Sequence, residues 1–180
     1  MRKVVAYELL SLDGVAEEPT DYITDWDDEL DANLGRVIAD QDAVLLGRRT
    51  WDDWAAFWPT SDIEPFATFI NSVQKFVVTS TPPTPEWGNT ALVEGDLAAF
   101  VNDLKRQPGG EIGVHGSISL TQTLLEERLI DELRLVIAPA LQIRGRRLFE
   151  KSAPTRLTLS RGVTSRTGHL LLDYQVVTDQ

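Results

Sequence analysis

The 180-residue chain contains no cysteine, which removes disulfides, thiolate metal sites and cysteine nucleophiles together. Histidine is nearly as scarce. His115 and His169 are the only two, too few for a histidine-rich metal centre, so no metal site is expected. Basic residues fall short of acidic ones, 17 against 28, for a formal net charge of −11. Nucleic-acid binding relies on Lys and Arg to neutralise phosphates, so that partner class is not expected. No apolar run approaches the roughly 18 residues of a membrane span, and the N-terminus MRKVVAYELL enters strand-like sequence without a signal-peptide cleavage site. The expectation is a cytoplasmic protein with no membrane partner. The Walker loop and the GxGxxG dinucleotide fingerprint are absent as well. Any phosphate bound here is held by some other arrangement.

With 42% hydrophobic residues a chain of this length can bury about two thirds of its unfolded surface. It shows neither an internal repeat nor a break in composition, so a single domain over residues 1–180 is expected. Residues 4–10 read as a first strand closed by the turn SLDG (11–14). Trp26, Leu30, Leu34, Val37 and Ile38 recur at helical spacing behind Asp25 as N-cap, predicting a helix over about 26–39. AVLLG (43–47) and KFVVTS (75–80) are continuous apolar runs of the kind covered on both faces. A second helix is marked by Phe66, Phe69, Ile70 and Val73, a short strand by 91–93, and a third helix by Asp96 as cap before Leu97, Phe100, Val101 and Leu104. EIGVHGS (111–117) reads as strand into turn, Leu120, Leu124 and Leu125 as a fourth helix, and DELRLVIAPAL (131–141) as a long strand. Leu157, Leu159 and Val163, then Leu170, Leu172, Tyr174 and Val176, alternate with polar residues around a turn at 166–168, predicting a terminal antiparallel hairpin. Strands separated by helices imply right-handed crossovers and a mostly parallel sheet with helices on both faces.

That order sets where a ligand sits. In open α/β sheets the carboxyl ends of the strands and the helix N-termini that follow them line a crevice that offers N–H groups to anions. Three segments fit: Gly47-Arg48-Arg49-Thr50, Thr79-Ser80-Thr81 and His115-Gly116-Ser117. They combine small residues for close approach, hydroxyl donors, and guanidinium groups suited to phosphate. Each has an ordinary reading too: a strand end, loop hydroxyls, an N-cap. Their joint order and spacing favour a phosphate-bearing ligand.

These residues carry a resemblance. SLDGV (11–15), VLLGRRTW (44–51), FVVTST (76–81), VHGSISLTQTLLEERLIDELRLVIAPAL (114–141) and GRRLFE (145–150) resemble the dihydrofolate reductase-like superfamily. The similarity is to the branch that holds the reductase domain of riboflavin biosynthesis proteins and its stand-alone relatives, and it runs nearly end to end. It implies an α/β three-layer sandwich with a mostly parallel central sheet of about eight strands, a C-terminal antiparallel hairpin and four main helices. It implies an NADPH-dependent reductase in which Gly47, Arg48, Arg49 and Thr50 meet the cofactor's phosphates. Thr79 and Ser80 would approach the 2′-phosphate, and His115, Gly116 and Ser117 would form the turn over the pyrophosphate. Relatives usually show a small residue in place of His115 and glycine in place of Ile143. The resemblance also suggests a homodimer. The zinc deaminase to which such reductases are often fused is not in this chain, since that enzyme needs cysteine ligands.

Reduction needs a proton as well as a hydride. A carboxylate on the first helix holds the pterin in folate reductases, and an ungapped count back from the Gly-Arg segment lands on Asp31. Asp27 lies one turn earlier, nearer the centre of the apolar stripe, and Asp13 belongs to the SLDG turn beside the expected site. Partial burial would raise such an acid toward useful proton transfer, while solvated helix charge is the ordinary role of acids in DWDDELD. Trp26, Trp51, Trp54 and Trp58 are suited either to stacking on a flat heterocycle or to core packing. The leading expectation is a reductase of a small heterocycle, of the 5-amino-6-(5-phosphoribosylamino)uracil reductase type. The alternatives are a folate or pterin reductase and a non-catalytic dinucleotide-binding module.

Overall fold

A computed structural model describes residues 1–150 and 153–177. The strands are β1 (Val4–Ser11), β2 (Gln41–Gly47), β3 (Gln74–Val78), β4 (Thr90–Leu92), β5 (Glu111–His115), β6 (Glu132–Ala138), β7 (Arg156–Thr164) and β8 (Leu170–Val177). They form one eight-stranded sheet in the order β4-β3-β2-β5-β1-β6-β8-β7. Neighbours from β4 to β6 run parallel, and β8 and β7 close the sheet as an antiparallel hairpin. The helices are α1 (Asp28–Ile38), α2 (Arg48–Phe57), α3 (Phe66–Ser72), α4 (Leu97–Arg106) and α5 (Ile118–Glu126). No helix among the described residues is long and apolar enough to cross a membrane.

Strand alternation sorts the core into two layers. From β1, Val4, Ala6 and Leu10 face the side covered by α4 and α5, where Leu104, Leu120 and Leu124 meet them. Tyr7 faces the opposite side with Leu30, Leu34, Trp51 and Ile70 from α1, α2 and α3. Burying both faces is why β1, β2 and β5 read as nearly unbroken apolar runs.

Three local features depart from the sequence reading. The cap of α1 is Asp27, whose carboxylate accepts the Leu30 N–H at 2.9 Å, so Asp25 and Trp26 lie outside the helix. The segment after Gly47 is itself a helix, which gives five helices where four were expected. Trp51 and Ala55 of α2 are buried and Trp54 and Trp58 pack beside them, an apolar stripe at i, i+3, i+4 and i+7. The long strand is shorter than 131–141, since Pro139 cannot donate to a ladder. By contrast Asp96 caps α4 as expected, accepting the Ala99 N–H at 2.8 Å.

The tryptophans hold α2 and α3 against the sheet. Trp54 and Trp58 pack edge-on to Phe66 with centroids 5.4 and 4.9 Å away, and Trp51 lies 6.3 Å from Trp87. Lys75, fully buried, donates to the Ile70 and Val73 carbonyls and sits 4.6 Å over Trp87. It closes the end of α3 where no water reaches.

Candidate active site

The strands β2 and β5 are neighbours, and each runs directly into a helix. The N-termini of α2 and α5 therefore meet at the carboxyl edge of the sheet. Gly47 caps α2 and Ser117 caps α5, yet neither helix has a side-chain cap for its first-turn N–H groups. The Ser117 hydroxyl instead accepts the Gly47 N–H at 3.0 Å, and Thr50 Oγ1 donates to the Gly116 carbonyl at 3.4 Å. Two positive helix ends with open N–H groups thus lie side by side at this edge. The turn between β5 and α5 favours glycine because Gly116 has φ +61°, in the left-handed region that a Cβ disfavours.

The arginines divide their work. Arg48 is gripped by Asp52 through Nε at 2.7 and 2.9 Å, and its Nη1 donates to Thr81 at Oγ1 (2.9 Å) and at the carbonyl (3.1 Å). This turns its guanidinium toward the end of β3, 3.4 Å from Thr79 Oγ1. Arg49 points to solvent, 70% exposed, with a loose contact to Glu17 at 3.5 Å. Beside Arg48 a cleft of about 490 Å³ opens between the ends of β3 and β4 and the start of α4, lined by Val78, Thr79, Ser80, Leu92, Glu94 and Leu97. Apolar walls with hydroxyls at the rim suit a nucleoside.

His115 contributes only its backbone to this edge. Its ring is buried in the α1–α3 layer among Tyr7, Phe66 and Phe69, with Nε2 2.7 Å from Gln41 Oε1. Burial pulls its pKa down to about 3, so it is neutral. Gly113 makes room for this pair, since a Cβ there would collide with the Gln41 amide.

The three aspartates have separate fates. Asp27 also accepts from Thr167, at 2.7 Å from the hydroxyl and 3.2 Å from the N–H, stitching α1 to the hairpin turn. Burial works to raise its pKa, but the hydrogen bonds from Thr167 and Leu30 outweigh it and hold the carboxylate well below its usual range. Asp13 accepts from Ser11 Oγ at 2.7 Å and from the N–H groups of Gln142 and Ile143 at 2.9 and 3.0 Å. These bonds, that from Ser11 foremost, lower it to about 2. Asp31 is exposed and accepts from Trp26 Nε1 at 2.6 Å. The structure does not bring the three together.

Two participants escaped the sequence reading. Glu8, 2% exposed on β1, accepts from the Thr121 hydroxyl at 2.7 Å, and burial pushes its pKa up to about 8. The clue was a lone acid inside the apolar run VVAYELLS. Arg146 donates to Ser119 Oγ at 2.7 Å in the first turn of α5, adding a guanidinium beside the crevice. The GRRLF block (145–149) carries part of the family resemblance, but nothing in its local pattern points to that contact.

An open, mostly parallel α/β sheet with paired helix N-termini at its carboxyl edge places anion-binding N–H groups where ligands bind in such folds. The RibD C-terminal domain family matches residues 2–171, and the chain belongs to that family of reductase-like domains. It is 28% identical over 155 residues to the uncharacterized protein YyaP of Bacillus subtilis (strain 168), covering 82% of this chain and 80% of that one. The uncharacterized protein YwjB of the same organism is 28% identical over 164 residues, covering 88% and 89%. Among solved structures, a candidate riboflavin biosynthesis protein from Shewanella sp. PV-4 superposes with a TM-score of 0.80 at 21% identity, over 98% of this chain and 99% of that one. The deaminase/5-amino-6-(5-phosphoribosylamino)uracil reductase of Thermotoga maritima superposes at 0.68 and 13% identity, over 98% of this chain but 57% of the bifunctional protein. At these identities the likeness to solved structures shows the fold, which is the expected α/β sandwich.

Proposed function

We propose that the protein is a cytoplasmic NADPH-dependent reductase of a small heterocycle, of the 5-amino-6-(5-phosphoribosylamino)uracil reductase type. The observation that carries this reading is the pair of uncapped helix N-termini facing each other at Gly47 and Ser117. One such terminus holds a phosphate, and two side by side suit a diphosphate. The donors fit the cofactor: N–H groups of α2 and α5 with Thr50 for the pyrophosphate, the β3–β4 cleft for adenosine, and Arg48 with Thr79 and Ser80 for a 2′-phosphate. When bound, NADPH supplies the hydride. The chain's own part is to grip the phosphates locally against its overall negative charge and to hold the crevice edge in place through Asp13 and Arg146.

A thermal-shift titration tests the assignment, because a ligand that binds only the native state raises its melting temperature. NADPH is expected to stabilise more than NADH, and Arg48→Ala to close most of the gap between them. No shift with either nucleotide would overturn the assignment. Consumption of NADPH is then to be followed with aminopyrimidine, pterin and carbonyl compounds. Asp31→Asn is expected to leave turnover in place; loss of turnover with NADPH binding intact would favour the pterin scheme instead.

A further inference from the structure

The last hairpin departs from simple alternation at one residue. Leu159 pairs with Tyr174 and Arg161 with Asp173, so Ser160 is an extra residue in β7. In an unbroken strand Leu157, Leu159, Arg161 and Val163 would share one face. The bulge reverses the phase: Leu157 packs with Tyr174 and Val176 on the α4–α5 side, whereas Arg161 and Val163 turn toward α1. They form one wall of a groove of about 280 Å³ whose other wall is Ala32, Asn33 and Arg36 of α1, with Leu171 between.

Two guanidinium groups meet there on a neutral acceptor. Arg36 and Arg161 donate to the same Asn33 Oδ1, at 3.0 and 3.1 Å. Like charges this close need compensation. Asp173, the cross-strand neighbour of Arg161, makes its close ion pair with Arg36, at 3.0 and 2.9 Å. Glu29, the other acid lining the groove, accepts the Arg166 backbone N–H at 2.6 Å and keeps its negative charge at the groove's α1 end. Among the described residues Arg161 has no ion pair, and its other guanidinium N–H groups find no protein acceptor. The walls beside it are apolar, with Val163 40% exposed.

We propose that this groove binds a small organic oxyanion, its anionic end on Arg161 and Arg36 and its apolar part against Val163 and Leu171. A forked guanidinium pair matches carboxylate and phosphate alike. The site lies on the far side of α1 from the paired helix termini and does not depend on the reading of the crevice.

The test follows the arginine Nε–H resonances of isotope-labelled full-length protein during titration with sodium hexanoate, inorganic phosphate or neutral hexanamide. Saturable shifts at Arg36 and Arg161 are expected with hexanoate and none with hexanamide. Saturation by phosphate alone would assign the site to phosphate or a phosphate ester. Losing one charge-assisted contact costs about tenfold in affinity, so Arg161→Gln is expected to weaken binding by at least that factor with NADPH stabilisation unchanged. Arg161→Lys, which keeps the charge and loses the fork, is expected to fall between. Shifts that never saturate with either anion, or that persist equally in both variants, would overturn the proposal.

Discussion

At the scale of a single residue, burial decides chemistry that residue type leaves open. Glu8 within β1 and Asp13 in the turn after it are both carboxylic acids, yet one is pushed up to about 8 and the other down to about 2. Glu8 has one hydroxyl partner in an apolar layer, while Asp13 is ringed by donors. The stability consequence follows from linkage. A carboxyl whose folded pKa lies above its unfolded value of 4.5 stabilises fully below that value, and the contribution is lost as pH rises toward 8. Glu8→Gln keeps the shape and cannot ionise, so its unfolding midpoint in urea is expected to fall less than that of the wild type between pH 5 and 8. Equal slopes for both proteins would show that Glu8 ionises without penalty.

At the scale of an element, the segment between β6 and β7 is shaped by one distant carboxylate. Asp13 accepts the N–H groups of Gln142 and Ile143, which turns Ile143 into the left-handed region at φ +66°. A β-branched residue there is strained by about 1–2 kcal/mol, and its side chain, 63% exposed, gains little in return. Ile143→Gly is expected to raise stability by about 1 kcal/mol, read from denaturant midpoints, because relief of strain exceeds the extra freedom of glycine in the unfolded chain. The departure from glycine was visible in the sequence, but the reason the position favours glycine was not. It lies 130 residues away in Asp13.

At the scale of the whole molecule, the two ends of the sheet have different duties. The amino end carries an ion network in which Arg134 bridges Glu111 at 2.7 Å and Glu132 at 2.9 Å, with Lys3 on Glu132 at 2.6 Å. The carboxyl end carries the crevice. Removing one member of a buried ion group leaves its partners uncompensated, typically at a cost of about 3 kcal/mol or more. Arg134→Gln is therefore expected to lower stability by that order while the shift in melting temperature that the proposed function expects from NADPH stays at the wild-type value. A loss of nucleotide binding in proportion to stability would mean that the two ends are coupled.

What the sequence determined by itself is what local pattern encodes. Apolar runs and capping residues specified β1, β2, β3, β5, the Asp96 cap and the terminal hairpin, and strand order put Gly47, Thr79 and Gly116 at the carboxyl edge of the sheet, where a ligand is proposed. Arg48-Arg49-Thr50 stood out there, although the helix they begin did not: the stripe of Trp51, Trp54, Ala55 and Trp58 was present, but tryptophans suit stacking on a ligand as well as core packing. Tertiary structure decided where side chains at that edge point and whom they meet. His115 turns into the core because Gly113 leaves space for Gln41. Asp27 becomes a cap because Thr167 arrives from the other end of the chain. Arg161 reaches α1 because a single inserted residue reverses its strand. Such outcomes depend on contacts between residues far apart in the chain, and periodicity carries no record of them.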